Sequence, residues 1–210
     1  ILSIQLTVIS FAFALPFGAL VAVMRTSTSR LLRAVGTTLV ESIRNVPLLA
    51  HLLFWYFAFP ELLPEGLREI LYANNPEAVC AVIALSLYSG VHMAEDIRSG
   101  IRAVPATQLE AARSLGLGRA AAVRLVLLPQ ALRASVPPLL SQTVNLWKDT
   151  SVATVIGAAE MMYQAARVET ASFRSLEAFT FATLAYLTVS LVISAAAHLF
   201  QRRYPVRTAA

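Results

Sequence analysis

The chain has 210 residues, of which 57% are hydrophobic and only 14% are charged. Soluble globular domains average about 45–50% apolar and about 25% charged residues, so this composition excludes an ordinary soluble domain and favours a membrane protein. The single cysteine, Cys80, excludes a disulfide scaffold. The net charge of +5 comes from basic residues that fall between hydrophobic runs, which favours contacts with lipid headgroups over nucleic-acid binding.

The first half of the chain predicts three membrane spans. Residues 1–24 carry no charge, and this length suffices for one spanning helix. A second span is predicted over about residues 32–59. It contains Glu41 and Arg44, which lie three residues apart on one helix face and are expected to pair. A third span is predicted over residues 78–94.

The fourth predicted span is irregular, whereas the fifth is an uncharged run over residues 178–201. Residues 134–147 are uncharged but contain Pro137 and Pro138, and Lys148 and Asp149 follow. We expect a helix over about 136–147, extended at one end, then a break and a short, partly inserted helix. Such backbone is tolerated at membrane depth only where protein or a water-filled cavity covers it. The alternative is one long helix with a tolerated ion pair.

The charged residues between the spans predict the orientation in the membrane. Arginines cluster after the first, third and fifth spans, whereas the segment between the second and third spans is net acidic. Because cytoplasmic loops carry the excess of Lys and Arg, we expect the recorded N-terminal end to lie outside. The C-terminal residues, including Arg207, are then cytoplasmic. Residues 98–133 form the longest cytoplasmic loop.

This loop carries the signals of a short helix with defined ends. Thr107 and Glu110 have the spacing of a capping box, and Gly116 stands where a left-handed residue ends a helix. We expect a helix over residues 108–115, in which Ala111 and Ala112 let another surface approach closely. Because a helix of two turns is marginal alone in water, it should pack on a partner. An amphipathic helix lying on the lipid headgroups is the alternative.

The same loop resembles the cytoplasmic signature of ABC importer permeases. The matching residues are Glu110-Ala-Ala, Gly116, Val126 and Leu128-Pro129. They are separated by three, nine and one residues, in that order. Val126 stands where the family usually has Ile. Five other segments resemble the branch of this family that takes up polar amino acids: residues 44–49, 54–56, 128–133, 137–138 and 148–151. Within that branch, Asn45-Val46 and the segment at 60–64 are similar to permeases of glutamate/aspartate importers.

The resemblance implies an all-α permease domain over residues 1–210, with about five transmembrane helices and a short cytoplasmic coupling helix. It implies a bacterial cytoplasmic membrane, a second permease, identical or a sibling, and a solute-binding protein outside. It also implies that the coupling helix docks on a cytoplasmic ATPase dimer. The residues expected to serve this coupling are Thr107, Glu110, Ala111, Ala112, Gly116, Leu128 and Pro129.

The chain itself shows no motif for ATP hydrolysis or metal binding. It has no Gly-x-x-x-x-Gly-Lys-Ser/Thr phosphate loop, and its only lysine is Lys148. We therefore expect ATP and Mg²⁺ on the partner ATPase, no cofactor on this chain, and no enzyme activity of its own. His51, His92, His198 and Cys80 are isolated along the sequence, so no metal site is expected.

Polar residues within the spans are candidates for a substrate path, because such groups are costly in hydrocarbon. The candidates are Arg44, Ser86, Ser89, Gln142, Asn145 and Lys148. We expect neutral donors and acceptors along the path, with Lys148 at the outer end of the Gln142–Asn145 face, where it attracts an acidic side chain. The alternative is hydrogen bonding between helices, and His92 is expected to be a satisfied bundle residue. A secondary transporter or channel without an ATPase is the alternative function.

Overall fold

The computed structural model describes residues 1–203, and every regular element in that range is helical. Arg207, which we expected in the cytoplasm, lies outside the described residues. The helices are α1 (Leu2–Thr26), α2 (Arg30–Arg44), α3 (Leu48–Leu53), α4 (Glu65–Ala73), α5 (Pro76–Arg102), α6 (Ala106–Ser114), α7 (Arg119–Ala122), α8 (Leu128–Asp149), α9 (Met161–Ser172) and α10 (Ser175–Arg203). Between them run two π-helical segments, Phe54–Ala58 and Val123–Leu127, and two 3₁₀ segments, Phe59–Leu62 and Thr150–Ile156.

Three helices in the described range are long and apolar enough to cross a membrane: α1, α5 and α10. They contain 25, 27 and 29 residues. At about 1.5 Å per residue, each exceeds the roughly 30 Å of a bilayer core. The predicted first, third and fifth spans are therefore confirmed.

The second predicted span is wrong as a continuous helix, because it breaks at Pro47. Proline has no N–H, so it cannot donate to the carbonyl of Ile43 four residues earlier. That carbonyl accepts instead from Val46 N at 3.3 Å and from His51 Nε2 at 3.1 Å. The segment consequently divides into α2, which packs Val40 against α1 and α5, and a second apolar piece over Leu48–Leu62.

Both π-helical segments end shortly before a proline. Phe54–Ala58 precedes Pro60, and Val123–Leu127 precedes Pro129. A proline removes one backbone donor, and a widened turn is one way in which a helix accommodates the loss. The helical backbone therefore continues through Pro129 from α7 into α8. As a result, the loop expected at 98–133 is largely helical: α5 ends at Arg102, α6 spans Ala106–Ser114 and α7 begins at Arg119.

The centre of the bundle is α5, which lies between α1 and α8. Of its most apolar stretch 56% is buried, against 11% for α10 at the periphery. Glycines permit the close packing. A Cβ on Gly18 of α1 would lie 2.6 Å from the carbonyl oxygen of Gly90 on α5. A Cβ on Gly100, further along α5, would lie 2.8 Å from the carbonyl oxygen of Ala131 on α8.

The fourth predicted span changes from α-helix to 3₁₀ helix, two residues later than the break predicted after Trp147. Helix α8 begins at Leu128, earlier than the expected residue 136, and it ends at Asp149, where the 3₁₀ segment Thr150–Ile156 takes over. This segment is covered by protein, since Thr150 and Ala153 are fully buried. Lys148 and Asp149 belong to the last turn of α8, and the 3₁₀ segment follows without an intervening loop.

A buried carboxylate, Glu160, fixes the position of α9 and α10. Its oxygens accept hydrogen bonds from the backbone N–H groups of Met162 and Tyr163 at 2.9 and 2.8 Å, and from the Tyr186 hydroxyl at 2.6 Å. Ser3 of α1 donates to it at 3.4 Å. Glu160 is only 1% exposed, and these four donors compensate for its burial.

Candidate functional site

A polar cavity of about 350 Å³ lies between α5 and α8. Its walls are formed by Tyr88, Ser89, His92, Gln142, Asn145, Lys148 and Asp149. The structure thus brings together four of the predicted substrate-path residues: Ser89, Gln142, Asn145 and Lys148. The other two, Ser86 and Arg44, are not part of its lining.

The cavity lies about halfway along α5. Tyr88 is twelve residues from Pro76 and fourteen from Arg102, or about 18 and 21 Å along the helix axis at 1.5 Å per residue. The end of α8 therefore reaches the middle of the bundle, and the 3₁₀ segment completes the crossing. Lys148 lies one residue before the end of α8, at the end of the Gln142–Asn145 face, and thus near the middle of α5.

Two aromatic side chains of α5 form one wall. His92 Nδ1 lies 2.8 Å from the backbone carbonyl oxygen of Tyr88. A carbonyl can only accept, so Nδ1 carries a proton and donates to it. The Tyr88 ring also lies against those of His92 and His51, with centroids 4.8 and 5.8 Å apart. His92 is hydrogen-bonded as expected, and it lines the cavity as well.

The opposite wall is polar and carries two charges. Asn145 Nδ2 donates to Gln142 Oε1 at 3.4 Å. Lys148 and Asp149 both line the cavity, yet they form no ion pair within 4.0 Å of each other or of another residue in 1–203. The cavity therefore combines the expected neutral groups and Lys148 with a carboxylate, Asp149.

Sequence reasoning missed Asp149, because that residue stands outside the Gln142–Asn145–Lys148 spacing used to define the polar face. The cavity includes Asp149 because it lies at the end of α8, where the wall turns into the 3₁₀ segment. A signal was nevertheless present in the sequence. An ionisable residue inside an otherwise uncharged membrane segment is by default a functional candidate.

Ser86 and Arg44 lie elsewhere. Ser86 is 7% exposed, and its hydroxyl has no hydrogen-bond partner among the described residues. Arg44 lies 3.9 Å from Glu95 of α5. The expected pair between Glu41 and Arg44 is wrong, because Glu41 instead faces Arg25 of α1 at 4.0 Å.

Glu95 is the hub of an ion-pair network that joins three helices. Its carboxylate accepts from Arg98 Nε at 2.9 Å and from Arg98 Nη2 at 2.6 Å. It also pairs with Arg25 of α1 and Arg44 of α2. Arg44 therefore already has a carboxylate partner in this chain, and Glu95 compensates part of its positive charge.

The second candidate region is α6, between α5 and α8. The predicted helix at 108–115 is confirmed with small shifts, at Ala106–Ser114. Its end has the predicted left-handed residue: Gly116 has φ +88°, and the N–H groups of Leu117 and Gly116 donate to the carbonyls of Ala112 and Arg113. This is a Schellman motif.

The predicted start of α6 is wrong. Pro105 occupies the N-cap, no side chain caps the helix, and Thr107 lies inside it. Thr107 and Glu110 therefore do not form a capping box, since that motif requires Thr107 at the N-cap itself. Thr107, Glu110 and Ala111 are exposed, and Ala112 is buried. Leu128 and Pro129, at the start of α8, are exposed as well.

No group of three or more His, Cys, Asp or Glu side chains within residues 1–203 has the arrangement of a metal site. The structure combines apolar spanning helices, a polar cavity halfway along α5, and an exposed helix, α6, between two spans. These features together define a membrane transport permease. The chain belongs to the family of binding-protein-dependent transport system inner membrane components, whose profile matches residues 14–205.

Named relatives cover most of the chain. It is 34% identical over 205 residues to the glutamate/aspartate import permease protein GltJ of Escherichia coli, covering 96% of this chain and 83% of the relative. It is 34% identical over 197 residues to the probable glutamine ABC transporter permease protein GlnM of Bacillus subtilis, covering 94% and 87%. A solved amino acid ABC transporter has a TM-score of 0.84 at 32% identity, covering 96% of this chain and 90% of that one.

Proposed function

We propose that the chain is the transmembrane permease subunit of an ATP-driven importer of polar amino acids, with glutamate and aspartate as substrates. The observation that carries the proposal is the polar cavity halfway along α5. An amino acid keeps at least two charges while it crosses, and unpaired charges at mid-membrane cost several kcal/mol. The cavity offers a cation, an anion and neutral amides in one place, which is the chemistry such a solute requires.

The energy for transport is proposed to come from a separate ATPase dimer that holds ATP and Mg²⁺. The coupling residues on this chain are those of α6 and the start of α8: Thr107, Glu110, Ala111, Ala112, Gly116, Leu128 and Pro129. Exposure of most of α6 and the rigid end at Gly116 support docking on a partner. This arrangement makes α6 cytoplasmic, the recorded N-terminal end external and the C-terminal end cytoplasmic.

Two further partners belong to the proposal. The exposed apolar side chains of α10 and α2 contact lipid and a second permease, identical or a sibling. A solute-binding protein outside delivers the amino acid, as the family description implies. The alternative of a secondary transporter or channel is not favoured, because the family match covers nearly the whole chain and α6 would have no partner in such a protein.

The relatives name glutamate, aspartate and glutamine, so the test must separate acidic from neutral substrates. The complete importer, with its ATPase, second permease and binding protein, is reconstituted in proteoliposomes. Uptake of a panel of labelled amino acids is then measured with and without internal ATP. ATP-dependent uptake of glutamate and aspartate is expected. Uptake that persists without ATP, or a panel in which neither acidic amino acid is transported, would contradict the proposal.

Lys148 is proposed to favour the acidic side chain. Its ammonium group lines the cavity and has no ion-pair partner within residues 1–203. Lys148→Gln should lower glutamate and aspartate uptake about tenfold and glutamine uptake much less, because a hydrogen bond to a charged group contributes about 1.5–3 kcal/mol. Arg167→Gln, which removes an exposed cation from α9, is the control. An equal loss for all three amino acids would assign the acidic preference to the binding protein.

A further inference from the structure

We infer that Tyr186 of α10 is a positioning residue: it holds the end of α8, and with it Lys148, in place without touching the substrate. This inference rests on the proposed function, in which Lys148 favours acidic amino acids. The side chains of Lys148 and Asp149 form no ion pair within 4.0 Å among residues 1–203. Their place in the cavity wall is therefore set by the backbone that carries them.

That backbone is fixed by the two residues that flank the charged pair. Trp147 and Thr150 are both buried, and the Thr150 hydroxyl donates to the Trp147 carbonyl at 2.8 Å. The indole N–H of Trp147 in turn donates to the backbone carbonyl of Tyr186 at 3.2 Å. The rings of Trp147 and Tyr186 also pack together, with centroids 5.1 Å apart. The position of Lys148 is thus determined from α10.

Tyr186 is exceptional on its own helix. Among the three spanning helices, α10 is the one with the least buried apolar stretch. Its other buried residues are Ala178, Ala182 and Ala197. Two of them, Ala178 and Ala182, precede Tyr186 at four-residue spacing and share its helix face. Because alanine side chains interlock little with a neighbouring helix, the register between α10 and α8 depends on Tyr186.

The far end of the Tyr186 ring is fixed by Glu160. The tyrosine hydroxyl donates to Glu160 Oε2 at 2.6 Å, a charge-assisted hydrogen bond. The same carboxylate accepts from the N–H groups of Met162 and Tyr163 at the start of α9, so it cannot turn away without leaving buried donors unpaired. A chain of contacts therefore runs from α9 through Glu160 and Tyr186 to Trp147, one residue before Lys148.

The test is the ratio of glutamate to glutamine uptake in Tyr186→Phe, which removes the hydroxyl and keeps the ring. The complete importer is reconstituted in proteoliposomes, and ATP-dependent initial rates for both labelled amino acids are measured on the same preparation. A smaller amount of folded importer lowers both rates equally and leaves their ratio unchanged. We expect the ratio to fall about three- to tenfold, and no further than in Lys148→Gln, because Tyr186 acts through Lys148.

Two further measurements separate positioning from general destabilisation. In the Lys148→Gln background, Tyr186→Phe should change the ratio less than about twofold, since the group that it positions is already absent. Trp147→Phe keeps an aromatic ring but removes the indole N–H, and it should lower the ratio in the same direction as Tyr186→Phe. Thr188→Val is the control, because it removes an exposed hydroxyl of α10 that bonds only to the Leu184 carbonyl of the same helix. That variant should keep the wild-type ratio.

The outcomes distinguish this inference from the proposed function. Given ATP-dependent glutamate uptake by the wild-type importer, an unchanged ratio in Tyr186→Phe would refute the positioning role alone. So would the same fall in the ratio with and without Lys148, or an unchanged ratio in Lys148→Gln, because Tyr186 is inferred to act through that residue. Absence of ATP-dependent uptake of both acidic amino acids by the wild-type importer would refute the proposed function and the positioning role with it.

Discussion

The crossing of α1 and α5 gives a direct test of the fold, through Gly18→Ala. The added Cβ would lie 2.6 Å from the Gly90 carbonyl oxygen, 3.1 Å from Met93 Cβ and 3.2 Å from Ala94 N. The first distance is about 0.7 Å less than the shortest ordinary carbon–oxygen contact of about 3.3 Å. Because the nearest atom is backbone, no rotamer change can relieve the overlap, and the two helices must separate.

The size of the effect follows from two opposing terms. Overpacking of a tight contact costs about 1–3 kcal/mol, whereas alanine is favoured over glycine inside a helix by about 0.5–1 kcal/mol. A net loss of roughly 1–2 kcal/mol is therefore expected. For a chain of this size, 1 kcal/mol shifts the Tm by about 2–4 °C, so Gly18→Ala should lower the Tm by roughly 2–8 °C.

The assay is thermal unfolding of the purified permease in detergent. At each temperature, the fraction of the protein that remains monodisperse is measured. Gly66→Ala is the matched control, because Gly66 also lies in a helix, α4, but no heavy atom lies within 4 Å of its added Cβ. That variant should not lower the Tm. If Gly18→Ala unfolds at or above the wild-type temperature, the close approach of α1 to α5 is wrong.

Two further predictions concern α6: the side of the membrane on which it lies, and its role in coupling to ATP hydrolysis. A cysteine at Glu65 should react with an impermeant thiol reagent from outside intact cells, whereas one at Gly118 should react only after the cells are opened; equal labelling would refute the orientation. Gly116→Val should abolish transport-stimulated ATP hydrolysis with the permease still in the membrane, because a β-branched residue cannot adopt φ +88° without strain. Gly118→Val, at φ −61° with equal open space, should leave hydrolysis intact, and equal activity of the two variants would remove α6 from coupling.

The sequence predicts well those features that depend on local pattern. Three long apolar runs give α1, α5 and α10, since length and hydropathy suffice to specify a spanning helix. The end of α6 is also local, because the left-handed conformation at Gly116 requires only the right residue after a short helix. The break after α8 is predictable for the same reason, from charged residues within an uncharged stretch.

The features that sequence reasoning missed depend on contacts between distant residues. Arg44 pairs with Glu95, 51 positions later, rather than with Glu41 on its own helix. The spacing rule for one helix indicates only the pair with Glu41, whereas the packing of α2 against α5 brings Arg44 to Glu95. The same holds for His92, whose place in the cavity wall is set by the approach of α8 to α5.

The cavity lies where two of the crossing segments are interrupted, and this explains why its polar groups are available. At the first interruption, Pro47, the ring of His51 donates a hydrogen bond to the Ile43 carbonyl that proline leaves without its usual partner. The same ring lies against Tyr88 in the cavity wall. At the second interruption, the hydroxyls of Thr150 and Ser151 donate to carbonyls of the last turn of α8 at 2.8 and 2.7 Å.

Irregular backbone at membrane depth needs hydrogen-bond partners, and at both breaks local side chains supply them. The side chains that line the cavity are not used for that purpose. Lys148 and Asp149 therefore face the cavity without partners from residues 1–203. If α8 continued beyond Asp149 as a regular α-helix, it would extend past the cavity. The α-helix instead ends at the cavity, with one cation and one anion beside each other, and the proposed function uses this pair to bind a zwitterionic solute.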